Sequence, residues 1–200
     1  MKGKMTSSRA VTLGVLQCPA CGSPLKVDAN WCPRCNFTGG DTGAMFPDPP
    51  PPLLPILDAA GILKESDLLK IESARESLRG RFPQFHWRVC IVILPPESSL
   101  SLFGFWLLNV CPLLGEETLE DRASTILLLI NADSGQVTAV PGYAVESYLS
   151  DDTWKLILSS MVEPWRNGKP GEAIVRFFTS TRSHLENAWK RYGTRISTRN

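Results

Sequence analysis

Two stretches of the chain are apolar almost without a break, HWRVCIVIL at 86–94 and STILLLINA at 124–132. Both are rich in β-branched residues and too short for core helices, so each predicts a strand buried on both faces. Asp133-Ser134-Gly135 then predicts a turn, with QVTAV at 136–140 as its hairpin partner. Around these strands the period changes to that of a helix. Leu68, Ile71, Leu78 and Phe82 fall on one helical face, with Ser66 as the expected N-cap. SLSLFGFWLLN reads as a buried helix, and Ser150-Asp151-Asp152 caps another with acceptors and negative charge. Ile174, Phe177, Phe178, Thr181, Leu185, Ala188 and Trp189 form a last helical stripe. Helices precede, separate and follow the strands. The expected fold is therefore α/β, a three-layer α/β/α sandwich with a mixed central sheet.

The first forty residues follow another logic. CPAC at 18–21 and CPRC at 32–35 give the spacing C-x2-C-x10-C-x2-C. A two-residue gap lets one tight turn aim two sulfurs at one point, and two such knuckles complete a tetrahedron around a metal. Pro19 and Pro33 pre-set the turns, and Gly22 accepts the left-handed conformation that follows. Cys18, Cys21, Cys32 and Cys35 are thus the expected ligands of a structural zinc ribbon, with iron as the rival metal. With four protein ligands such a site is closed and does no catalysis. Two disulfides are disfavoured because no secretory signal is legible, and a redox pair because no βαβ context surrounds it. The expected compartment is reducing and cytoplasmic, with Met1 starting the mature chain.

Residues 39–55, GGDTGAMFPDPPPPLLP, hold three glycines and then six prolines. This composition predicts a domain linker; a ligand for an SH3-type groove is the alternative. The expected boundaries are a zinc ribbon at 1–40, a linker at 41–55, the α/β/α domain at 56–190 and a basic tail at 191–200. The formal net charge of +1 hides a segregation. Residues 166–200 carry eight Lys and Arg against two Glu, whereas 41–165 carry seventeen acids against eight bases. A zinc-loaded chain is near neutrality, which excludes a dedicated nucleic-acid binder. LSLFGFWLLNVCPLL at 100–114 is too short and too interrupted to span a bilayer. Peripheral contact with a membrane stays open.

The stretch ILLLINADSGQVTAVPGYAVESYLSDDTWKLILSSMVEPW resembles the TPM domain family. That family has a hydrophobic strand, a turn, a second strand ending in a Gly-Tyr-Gly-Leu-Glu-Gly-like loop, and Leu-Thr-Asp opening a helix. Gly142, Tyr143 and Glu146 match the loop, Leu149-Ser150-Asp151 the helix start, and Pro164 a proline after it. LDAAGIL at 57–63 is similar to the family's opening Asp-x-x-Gly-x-Leu, with Asp58 as its acid. The resemblance runs over about 56–190 and implies an α/β/α sandwich, calcium binding in some members and acid phosphatase activity in some. Where the family carries Asp-Asn-Gly before the central strand, this chain reads Ala123-Ser124-Thr125, and Ala144 and Ser147 replace two loop glycines. Those losses argue against efficient metal-dependent catalysis.

The acids Asp58, Glu120, Asp121, Asp133, Glu146, Asp151 and Asp152 fall in predicted loops and element ends. Asp58, Asp121, Glu146 and Asp151 are the candidate ligands of a Ca²⁺ ion, which prefers oxygen donors. No nucleophile constellation stands out. His86, His184, Cys90 and Cys111 read as packing or surface residues. Two functions follow. In one, the chain is an interaction or assembly module, weakly catalytic at most, that binds a protein partner. In the other it is a Ca²⁺- or Mg²⁺-dependent hydrolase of phosphate esters.

Overall fold

The computed structural model describes residues 18–26, 29–46, 48–95, 98–114, 119–146 and 148–197; side chains of 119–120 and 191–197 lie outside that description. Glu120 and Ser147 are therefore not placed further. The elements in order are a 3-10 turn Gly39–Asp41, α1 (Thr42–Met45), β1 (Ile56–Asp58), α2 (Glu65–Arg81) and β2 (His86–Val92). There follow α3 (Leu100–Asn109), α4 (Leu119–Ala123), β3 (Thr125–Asn131), β4 (Val137–Pro141), α5 (Asp151–Ser159), α6 (Val162–Arg166) and α7 (Pro170–Ser197).

The four strands pair in the order β1-β2-β3-β4. β1 and β3 run parallel to β2, and β4 returns antiparallel to β3. The mixed sheet expected from the sequence is present. Alternation along β2 and β3 sorts the core into two layers. Trp87, Val89, Ile91, Ile126, Leu128 and Ile130 face a layer closed by α2, α5 and α7. Cys90, Val92, Leu127 and Leu129 face a second layer closed by α3. Burial on both faces is why these strands lack polar alternation.

Several local expectations are corrected. Lys64, not Ser66, caps α2, because the Asp67 carboxylate reaches back to accept the Lys64 backbone N–H at 3.3 Å. Leu68 is exposed while Ile71, Leu78 and Phe82 are buried, so the buried stripe starts one turn later. Ser150 caps α5 as expected, accepting from the Thr153 N–H. β1 had no strand signal of its own. α7 continues through the expected basic tail to Ser197.

The proline-rich segment is not a bare spacer. Phe46 stacks near Trp106 and Phe103 of α3, at centroid distances of 4.9 and 5.4 Å. Leu53 is fully buried and bridges to Leu113. Arg88, charged yet buried in β2, donates to the Leu53 carbonyl at 2.6 Å and to the Leu114 carbonyl at 2.9 Å. Leu53 and the 112–114 segment pair with each other through the Leu53 N–H to Pro112 and the Leu114 N–H to Leu53, and the guanidinium ties both to β2.

Candidate metal centre

The two knuckles have one backbone plan. The Cys18 N–H donates to the Ser23 carbonyl and the Gly22 N–H to the Cys18 carbonyl, each at 2.8 Å. Cys32 and Phe37 pair in the same way, as do Asn36 and Cys32. Each turn needs a left-handed residue at the position after its second cysteine, filled by Gly22 at φ 69° and Asn36 at φ 60°. Asn36 was not foreseen, although aligning CPACGS with CPRCNF places it under Gly22.

The four sulfurs lie within 4.8 Å of one another. Cys18 and Cys35 are separated by 3.7 Å, and so are Cys21 and Cys32. Sulfurs bound at ~2.3 Å around a tetrahedral Zn²⁺ stand about 3.8 Å apart, whereas a disulfide requires ~2.05 Å. The donor set, count and spacing therefore fit a metal such as zinc, and the cysteines are free thiols. Thiol electrostatics point the same way. The Ser23 hydroxyl and backbone lower the Cys21 thiol to about 6. Cys35 feels first the lowering effect of the Phe37 amide, but burial and the other three thiols push it up to about 12. Four sulfurs this close cannot all ionise without a cation among them. Cys90 and Cys111, by contrast, are core thiols pushed up to about 12 and 11 chiefly by burial.

The knuckles rest on the domain. Cys18, Cys32 and Phe37 pack with Leu25, and with Leu102 and Phe105 of α3.

The four candidate acids do not share one place. Asp58 ends β1, where it pairs with Ile91, and its Oδ2 accepts the Leu63 N–H at 2.8 Å to close the loop. Asp121 lies at the opposite end of the parallel strands, beside His86 at 3.4 Å. Five residue steps along β2 separate Ile91 from His86, about 17 Å at ~3.3 Å per step. Glu146 and Asp151 follow β4, whose Pro141 pairs with Ile126 near the start of β3, so they lie at the Asp121 end. Burial raises the Glu146 carboxyl, and the Asp151 charge adds to the effect. Of these four acids only Asp58 lies at the carboxyl ends of the parallel strands. Among the described residues, the four cysteines are the only group of three or more His, Cys, Asp or Glu side chains within 4.8 Å.

The loop after β4 is held by close approach. A Cβ on Gly142 would collide with the carbonyl oxygens of Arg122 and Ala123. The Gly142 N–H donates to the Thr125 carbonyl at 2.7 Å, and Tyr143 projects outward, 71% exposed.

This three-layer α/β sandwich defines a fold class also seen in solved domains. The N-terminal domain of a protein from P. gingivalis is similar at 19% identity, with a TM-score of 0.51 over 66% of this chain and 82% of that one. A protein of the psychrophilic bacterium Bizionia argentinensis is similar at 11% identity, with a TM-score of 0.52 over 66% and 86%. No curated protein matches the chain. The TPM domain matches residues 56–183, and the chain belongs to that family.

Proposed function

We propose that the chain is a TPM-domain scaffold with a structural zinc ribbon, acting as an interaction or assembly module rather than as an efficient hydrolase. The observation that carries this reading is the contrast between the two ligand sets. Four thiols from two matched turns surround one point, while the four carboxylates are divided between the two ends of the sheet. Cys18, Cys21, Cys32 and Cys35 hold zinc, which leaves no coordination position for a substrate. The ion ties a small segment with little core of its own into a rigid body. A metal-dependent phosphatase would need several oxygen donors on one cation to offset the phosphate charge. Asp58 cannot join the other three acids without unpairing β1.

The test is hydrolysis of a generic phosphate ester with and without Ca²⁺ or Mg²⁺, alongside Glu146→Gln and Asp151→Asn. A near-blank rate that neither change alters is expected, with partner capture abolished by loss of zinc. Metal-stimulated turnover of several per second, removed by either substitution, would establish the hydrolase instead.

A further inference from the structure

At the carboxyl end of β3, beyond the reach of the His86–Asp121 pair, a cleft of about 510 Å³ opens between the β3–β4 turn and α6. Buried Ile130 and Met161, half-buried Val137 and Trp165, and exposed Val162 line it, with Asp133 and Arg166 at its exposed rim. The size and mainly apolar lining suit a small-molecule site, as does its place outside a strand's carboxyl end. Two features fix its chemistry. First, the rim carries one anion and one cation from different elements. Second, neither charged group has a hydrogen-bond or ion-pair partner among the described residues.

Both charges are held by their backbones. The Asp133 N–H donates to Oδ1 of buried Asn131 at 3.3 Å, and Gly135 turns the chain at φ 68°. The Trp165 indole lies against that turn, its Nε1 3.5 Å from where a Gly135 Cβ would stand. Arg166 follows directly, at the end of a short helix pinned by buried Pro164.

We propose that this cleft binds a free α-amino acid with an apolar side chain. The side chain covers Val137 and Val162 beside Trp165, the carboxylate meets Arg166, and the ammonium meets Asp133. Charge complementarity selects this class over its neighbours. A simple carboxylate would satisfy Arg166 but be repelled by Asp133, and a simple amine would do the reverse. An uncharged apolar molecule would screen both rim charges from water and pair neither. A zwitterion with an apolar body answers all three surfaces at once.

The experiment is a titration of the full-length protein with L-phenylalanine, L-phenylalaninamide and N-acetyl-L-phenylalanine, read by the NMR resonance of the Trp165 indole N–H. Trp165→Phe assigns that resonance. L-phenylalanine should move it and saturate, and each blocked analogue should bind about tenfold more weakly, the loss of one charged hydrogen bond. Arg166→Gln should weaken L-phenylalanine about tenfold and leave the amide unchanged. Asp133→Asn should weaken L-phenylalanine similarly and leave the N-acetyl analogue no weaker. Both rim residues are exposed, and an unchanged spectrum elsewhere verifies the fold of each variant. A resonance that L-phenylalanine does not move overturns the proposal. So does equal binding of all three compounds, which would reduce the cleft to an apolar surface, or phenylalanine binding indifferent to both substitutions.

Discussion

The ring of Phe37 stands edge-on to that of Phe105, with centroids 6.0 Å apart and planes at 77°. This contact joins the second cysteine knuckle to α3. α3 in turn packs on β3 and β4, where a Cβ on Gly104 would stand 2.7 Å from Cγ2 of Val140. The Arg122 guanidinium also donates to the Leu108 carbonyl at 2.9 Å, linking α3 to α4, whose last carbonyls abut Gly142. The ribbon is therefore seated on the domain.

Phe105→Ala should unseat the ribbon without emptying it. Such an edge-to-face pair contributes about 0.5–1.5 kcal/mol beyond its buried area. Zinc content should stay at about one per chain, while limited proteolysis within 39–48 becomes several-fold faster than in the parent protein. An unchanged cleavage rate would mean that the contact does not hold the ribbon.

Cys32→Ser should remove the metal and unfold only the ribbon. Metal binding supplies the folding energy of such small modules, whereas the 56–190 body has its own two-layer core. Elemental analysis should give no zinc, and a stable fragment beginning near 53 should survive protease. Collapse of the whole chain on zinc removal would contradict the boundary, as would iron in the purified parent protein.

Arg88→Met should destabilise the domain by about 1–3 kcal/mol, because the buried Leu53 carbonyl loses its charged donor and keeps only the Leu114 N–H, while the more exposed Leu114 carbonyl can turn to water. Urea denaturation should show the lower midpoint. A midpoint within error of the parent would show that water replaces the guanidinium.

Gly142→Ala should cost about 1–3 kcal/mol, since the added methyl meets two backbone oxygens that cannot swing aside. Thermal unfolding should register it, and Gly43→Ala, where the new methyl meets nothing, is the control.

Glu146 should make the protein less stable as pH rises. Its folded pKa lies above that of an ordinary glutamate, so the folded state holds the proton more tightly than the unfolded chain. Below the unfolded pKa both states are protonated and the residue carries no penalty. The penalty grows as pH climbs from there and is complete above the raised folded value. Glu146→Gln should thus match the parent in acid and exceed it at neutral pH, as followed by denaturation midpoints across that range. An advantage that persists in acid would remove ionisation as the cause.

How far the sequence disclosed this molecule depended on the range of the forces involved. β2 and β3 were legible because double-sided burial writes itself as an uninterrupted apolar run. The cysteine site was legible because spacing alone brings the sulfurs together. β1 was not, since its three half-buried residues carry no period. Leu53 was hidden in a proline run, where nothing local says that it is buried. Arg88, a charge within an apolar strand, gave no hint that it serves two carbonyls far along the chain. The acids misled for a topological reason. Asp58 and Asp121 both sit at strand ends, and only the strand pairing tells which end of the sheet each occupies.

The sheet's borders limit how the protein can meet others. β1 offers three residues on one side, and β4 on the other ends in Pro141, which has no amide hydrogen to give. A border this short or proline-terminated is a poor template for another chain's strand, the route by which many sheets polymerise or capture extended peptides. A partner of the proposed module would accordingly meet helices, knuckles and loops rather than a border of the sheet.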